Sequence, residues 1–182
     1  LRYGENPHQS AKFYSDNQTT AFSLAYAEQL GGKELSYNNI LDLDKALDIV
    51  MDFERPTATI MKHTNPCGLA SDDTIAKAFR TAYDVDPLSA FGCVIALNRK
   101  CDLETANMIH EYFVEAVIAP DFDKEALEVL SLKKSIRHIK TKRQISAFML
   151  SYKNIVQPYF CHLVHCTEMQ KNPAFFITYL LI

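Results

Sequence analysis

The sequence predicts an α/β fold, on three observations. Short apolar runs rich in β-branched residues recur at 57–61, 93–97 and 115–119. Segments with apolar residues at helical spacing separate them. Prolines, glycines and asparagines punctuate the junctions. Strands alternating with helices imply βαβ units and a mostly parallel sheet with helices on both faces, joined by right-handed crossovers. Ligands in such sheets gather at the carboxyl ends of the strands.

Taken in order, residues 1–12 are polar and without period, and apolar content rises from Thr19 until Gly31-Gly32 breaks it. From Leu41 a helical stripe of Leu43, Ala46, Leu47, Val50 and Phe53 runs opposite Asp44, Lys45, Asp48 and Asp52, with Asn38 or Asn39 as cap and Pro56 beyond its end. The strand at 57–61 leads into Lys62-His63 and a turn built on Asn65-Pro66 and Gly68. Ser71 or Asp72 caps a second helix whose stripe is Ile75, Phe79, Ala82 and Tyr83. The loop 86–92 precedes the strand 93–97. Asp102 caps a third helix reaching Tyr112, the strand 115–119 stops at Pro120, a fourth helix spans 123–130, and 136–139 reads as one more strand. From Arg143 onward only Arg143, Lys153, Glu168 and Lys171 are charged, and aromatic and aliphatic residues are dense without period. The expectation is a domain over 1–142 and a tail over 143–182 foreign to it, as an altered reading frame would produce; a divergent final helix and strand is the alternative.

The 182 residues suffice for one domain with a real core. A net charge of −3 argues against a general nucleic-acid binder while leaving room for a local phosphate pocket. Five cysteines at irregular spacing do not form a disulfide framework, and no secretory leader or run of about 18 apolar residues is present, so a cytoplasmic protein with no membrane partner is expected.

Several clusters carry candidate chemistry. Lys62-His63 pairs a fixed positive charge with a side chain that titrates near neutrality, so it fits anion binding and proton transfer; it also reads as a solvated strand end. Arg2 and Tyr3 offer a phosphate fork and a ring, or merely a loose terminus. Phe91 and Gly92 could flank a planar ring and admit close backbone approach, or Phe91 could plug the core. Glu115 opens an apolar strand, where a carboxylate is costly unless it is paired, ligand-bound or facing water. Cys161, His162, His165 and Cys166 invite zinc, but adjacent Cys-His pairs fit one tetrahedron poorly, and no metal site is expected. The zinc-deaminase signature, the P-loop and the dinucleotide fingerprint are all missing.

Four segments together carry a specific resemblance: Leu1-Arg2-Tyr3-Gly4-Glu5-Asn6-Pro7-His8-Gln9, Lys33-Glu34-Leu35-Ser36-Tyr37-Asn38-Asn39-Ile40-Leu41-Asp42, Lys62-His63-Thr64-Asn65-Pro66-Cys67-Gly68, and Asp86-Pro87-Leu88-Ser89-Ala90-Phe91-Gly92. They resemble the transformylase part of the bifunctional purine biosynthesis family, an aminoimidazole carboxamide ribonucleotide (AICAR) formyltransferase joined to an inosine-monophosphate cyclohydrolase. Val114-Glu115-Ala116-Val117-Ile118-Ala119-Pro120 extends the likeness, which runs to about Lys142.

The resemblance implies transfer of a formyl group from 10-formyltetrahydrofolate, as cosubstrate with no bound cofactor, to the 5-amino group of AICAR. It implies a cytidine-deaminase-like, three-layer fold without catalytic zinc, and a homodimer in the full-length family. Lys62 and His63 match the catalytic pair: the histidine takes the amine proton, and the lysine holds its protonation state and steadies oxyanion charge. Arg2 and Tyr3 match nucleotide ligands, Arg2 at phosphate; Phe91 and Gly92 match the base pocket, and Glu115 a carboxylate near the ligand. The second subdomain and the cyclohydrolase domain have no counterpart, so little or no activity is expected of this chain alone. A non-catalytic nucleotide-binding module or pseudoenzyme of the same fold is the alternative, and a zinc-binding interaction protein built on the tail is a third.

Overall fold

A computed structural model describes residues 1, 3–14, 24–141 and the backbone of 160–163. Its centre is a mixed six-stranded sheet in the order β2-β7-β6-β5-β3-β4. The strands are β2 (Glu28–Gly31), β3 (Thr57–Lys62), β4 (Asn65–Ser71), β5 (Cys93–Leu97), β6 (Val114–Ala119) and β7 (Arg137–Lys140). The helices are α1 (Tyr37–Met51), α2 (Ile75–Asp84), α3 (Leu103–Glu111) and α4 (Lys124–Ser131). Apart from the sheet, β1 (Ser10–Phe13) pairs antiparallel with β8 (Phe160–Leu163).

The expectation of a mostly parallel sheet needs correction. β5, β6 and β7 are mutually parallel, but β3 runs antiparallel to both β4 and β5, and β2 antiparallel to β7. The reason is that β3 has no crossover helix after it. A two-residue turn returns the chain immediately as β4, so residues read as a turn, Asn65, Pro66 and Gly68, are strand residues. Pro66 is tolerated because β4 ends the strand order.

Each sheet face is covered, and the period-2 alternation of the strands decides by what. Ala58, Ile60, Cys93, Ile95, Leu97, Val117 and Ala119 face α2, α3 and α4, with Phe79 fully buried at the centre. Met61, Val94, Ala96, Ala116, Ile118 and Ile139 face α1 through Ile40, Leu43, Ala46, Leu47 and Val50. Every residue of β5 is buried, as a strand covered on both faces requires. Burial of one side chain such as Phe79 stabilises the fold by about 1.5–3 kcal/mol.

The helix starts were less legible. α1 begins at Tyr37, and its cap is Ser36 rather than Asn38 or Asn39. Ser36 accepts from the Asn39 N–H while the Asn39 side chain accepts from the Ser36 N–H, a reciprocal capping box with asparagine in the usual Glu/Gln position. Phe53 lies beyond the helix end and is half out of the core. α2 is capped by Thr74, not Ser71 or Asp72, because β4 extends through Ser71. Asp102 caps α3 as its spacing suggests, accepting from the Thr105 N–H at 2.8 Å.

Candidate functional site

The reversal at β3 creates the site. Because β3 is antiparallel to β5, its carboxyl end meets the amino ends of the parallel block: Met61 lies opposite Val94, and Cys93 opposite Val114. Lys62, Gly92, Glu115 and Arg137 therefore share one rim of the sheet. Lys62 and His63 lie at the carboxyl end of β3, whereas Phe91, Gly92 and Glu115 sit at the amino ends of β5 and β6.

Lys62 is half-buried, and its Nζ donates to the Phe91 carbonyl at 2.5 Å. This bond joins the end of β3 to the loop before β5. The loop is itself braced: Asp86 accepts from the Ser89 N–H and hydroxyl at 3.0 and 2.6 Å, which holds its carboxyl below the usual range. The Gly92 N–H donates to the Phe113 carbonyl at 2.9 Å. Gly92 has φ +73°, a conformation glycine adopts without strain. Phe91 does not plug the core. It is 63% exposed, its ring tilted against Phe113 with centroids 4.8 Å apart.

Glu115 has both a partner and an opening to solvent. Asn39 Nδ2 donates to its Oε2 at 2.6 Å, Arg137 Nη1 stands 3.7 Å from the same oxygen, and 42% of the side chain is exposed. The buried Arg137 also donates to the backbone carbonyls of Glu115 and Glu34 at 3.2 and 3.3 Å. A guanidinium so fully engaged is an anchor, and it fixes the carboxylate it faces.

His63 is exposed at the hairpin tip. Its N–H donates to Asp42 Oδ2 at 3.3 Å, and the next N–H, from Thr64, donates to Asp42 Oδ1 at 2.6 Å. Burial pushes the Asp42 carboxyl up from its usual range, and the two N–H donors and the charge of His63 oppose that shift. The nearby charge of Glu115 pushes it up further. Two thiols near this rim are not poised as nucleophiles: burial pushes Cys93 up to about 12 and raises Cys67 as well.

The structure thus brings together Lys62, His63, Phe91, Gly92 and Glu115, and adds Asn39, Asp42 and Arg137. Tyr3 is half-buried in a segment that reaches the start of α1, where Asn38 Nδ2 donates to the Glu5 carbonyl at 3.5 Å. Arg2 lies outside the described residues, as do the side chains of Cys161, His162, His165 and Cys166. Among the described residues no His, Cys, Asp and Glu side chains cluster as a metal site, and no helix is long and apolar enough to cross a membrane. Asn39 and Asp42 are three apart on α1 and so share a face, which is the signal that could have identified them.

Comparison with known proteins decides the lineage. A family model described as the AICARFT/IMPCHase bienzyme matches residues 1–171, reaching past Lys142 into the tail. The chain belongs to the AICARFT/IMPCHase bienzyme family. Relatives of this bienzyme family named bifunctional purine biosynthesis protein PurH include one from Halalkalibacterium halodurans, 56% identical over 75% of this chain and 27% of its own length. One from Anoxybacillus flavithermus is 50% identical over 84% of this chain and 31% of its own. One from Sorangium cellulosum is 52% identical over 78% and 27%. The chain therefore spans under a third of the length of these bienzyme relatives.

Proposed function

We propose that this chain carries part of a formyl-transfer site of purine biosynthesis, acting on AICAR with 10-formyltetrahydrofolate as cosubstrate. The observation that carries the reading is the Lys62–Phe91 bond, which joins Lys62-His63 to the loop 86–92. The 5-amino nitrogen of AICAR attacks the formyl carbon, a C–N bond forms, and the bond to the folate nitrogen breaks. His63 takes the proton the amine loses, and the departing folate nitrogen takes up a proton as its bond to the formyl carbon breaks, which leaves neutral tetrahydrofolate. The positive charge of Lys62 steadies the oxyanion of the tetrahedral intermediate. Phe91 and Gly92 border the planar imidazole, Glu115 accepts from its amine or hydroxyl donors, and Arg2 and Tyr3 engage the nucleotide, Arg2 at phosphate.

The same reading treats residues 1–142 as one cytidine-deaminase-like subdomain of a cytoplasmic, homodimeric family, a match to which continues to residue 171. The antiparallel β3–β4 hairpin followed by three parallel strands, with α1 on one face and α2, α3 and α4 on the other, supports that assignment. Because the chain covers so little of its relatives' length, the second reading is a module that binds the ribonucleotide without catalysis.

The test has two parts. Calorimetric titration of the chain with AICAR is expected to give binding that weakens at least about tenfold in Glu115→Gln, the loss of one charge-assisted hydrogen bond. Formyl transfer is then assayed by tetrahydrofolate release, for this chain and for the chain extended to the full family length. Little turnover alone and full turnover when extended, abolished by His63→Ala, is the expected result. Binding without turnover in the extended chain favours the module, and turnover near the full-length rate by this chain alone overturns the view that it is incomplete.

A further inference from the structure

The turn that carries His63 is strained. Both central residues of the β3–β4 hairpin have left-handed backbone, His63 at φ 52° and Thr64 at φ 61°. A two-residue hairpin with both φ values positive is the turn that matches strand twist, and it usually recruits asparagine or aspartate followed by glycine. A β-branched threonine there is an outlier that persists only when its surroundings enforce it.

The enforcing group is visible. Asp42, on α1 and 21 and 22 residues away in sequence, accepts the N–H groups of His63 and Thr64 on its two carboxylate oxygens. The other side of the His63 residue is also fastened: the Thr64 hydroxyl and Asn65 Nδ2 donate to its carbonyl at 2.7 and 3.0 Å. The carboxylate comes from the helix that also supplies Asn39 to Glu115, so one helix registers both ends of the rim.

We infer that Asp42 is a positioning residue: it locks the backbone of His63 in the left-handed conformation and thereby fixes the point from which the imidazole reaches the substrate. Its catalytic consequence rests on the formyl-transfer reading, whereas the locking itself does not. A carboxylate suits this task because it can serve two convergent N–H donors at once, where an asparagine side chain offers one oxygen and a competing donor.

The experiment compares wild type, Asp42→Ala, Asp42→Asn and the double variant Asp42→Ala with Thr64→Gly. Amide hydrogen exchange and Cα and Cβ shifts of residues 63 and 64 are read by NMR on the whole chain. Expected in Asp42→Ala are exchange at both amides faster by about tenfold or more, the loss of a charge-assisted hydrogen bond, shifts leaving the left-handed range, and unchanged protection at Ile95. Asp42→Asn should lie between, and Thr64→Gly should restore the shifts at residue 63, because glycine adopts that backbone unaided. Unaltered exchange and shifts in Asp42→Ala overturn the lock.

The second arm measures formyl transfer in the chain extended to family length. The positioning role requires kcat to fall about tenfold or more with KM held, and Thr64→Gly to recover part of it. A loosened turn with kcat unchanged reduces Asp42 to a hairpin stabiliser and overturns the positioning role. If the extended wild type transfers no formyl group, the formyl-transfer reading fails, and the exchange data still decide the lock.

Discussion

Asn98 lies at the far end of β3 from Lys62, and replacing it should cost the fold dearly while sparing the site. The residue is 1% exposed. Oδ1 accepts from the Thr57 N–H at 2.7 Å; Nδ2 donates to the carbonyls of Arg55, Phe53 and Val50 at 2.8, 2.9 and 3.3 Å. Asn98→Leu keeps the volume and deletes all of these bonds. The Arg55 carbonyl keeps the Thr57 hydroxyl, and the Val50 carbonyl keeps the Phe53 N–H. The Thr57 N–H and the Phe53 carbonyl are left without those partners. Two orphans at about 1–3 kcal/mol each, the second discounted because the Phe53 carbonyl is only part-buried, give a loss of about 2–5 kcal/mol. For a domain of this size that lowers Tm by roughly 5–15 °C. Urea unfolding followed by circular dichroism should show a lower midpoint with an unchanged slope. Asn98→Asp provides a control with a different pH dependence: its carboxylate can accept from Thr57 but opposes three carbonyls, and it regains a donor when protonated, so acid should narrow its deficit. A loss below about 1 kcal/mol in Asn98→Leu would refute the idea that this one side chain joins the end of α1 to β3.

Three further outcomes can be measured on the same chain. Burial, and secondarily the charge of Asp48, pushes Asp44 from 3.8 to about 6, with Lys45 opposing. A raised carboxyl pKa in the folded state means no contribution below pH 3.8 and a penalty that grows as pH rises through about 6. Asp44→Asn should therefore raise stability at pH 7.5 by about 1–2 kcal/mol, the two-unit shift discounted for partial solvation, and leave it unchanged near pH 3.5; equal gains at both pH values exclude this origin. Gly68→Ala should destabilise by about 2–3 kcal/mol in urea unfolding, because the new methyl would stand 1.9 Å from the Ala82 carbonyl oxygen and force α2 off β4. Arg137→Met should cost about 2–4 kcal/mol, since the Glu115 and Glu34 carbonyls lose a charged donor; thermal melts of the variant that overlay wild type would dismiss the anchor.

What the sequence reveals of this fold is what local chemistry dictates. The stripes Leu43, Ala46, Leu47, Val50 and Ile75, Phe79, Ala82, Tyr83 are buried as their spacing demands, and the runs in β3, β5 and β6 are strands. Strand direction is not local. Whether β3 continues into a helix or turns back depends on two residues, His63 and Thr64, neither of which favours the backbone they adopt. A Pro and a Gly in β4 then mimic a loop, although Gly68 is there because α2 packs on its backbone. The candidate residues that carry their chemistry openly, Lys62, His63, Phe91, Gly92 and Glu115, are ones the structure places along one rim. Asn39 was visible as a possible cap and, with Asp42, as part of a matching segment. Arg137 was hidden in a four-residue strand, although a buried cation there implied a partner.

The hairpin reversal at β3 also determines when the rim can exist. Its members come from residues 39, 42, 62, 63, 91, 115 and 137, so nearly the whole described domain must fold before they meet. Any opening that releases β7 withdraws Arg137 from Glu115 at once. Affinity for a ligand at the rim is therefore a gauge of global folding, and a bound ligand should slow hydrogen exchange throughout the sheet rather than only at the residues it touches.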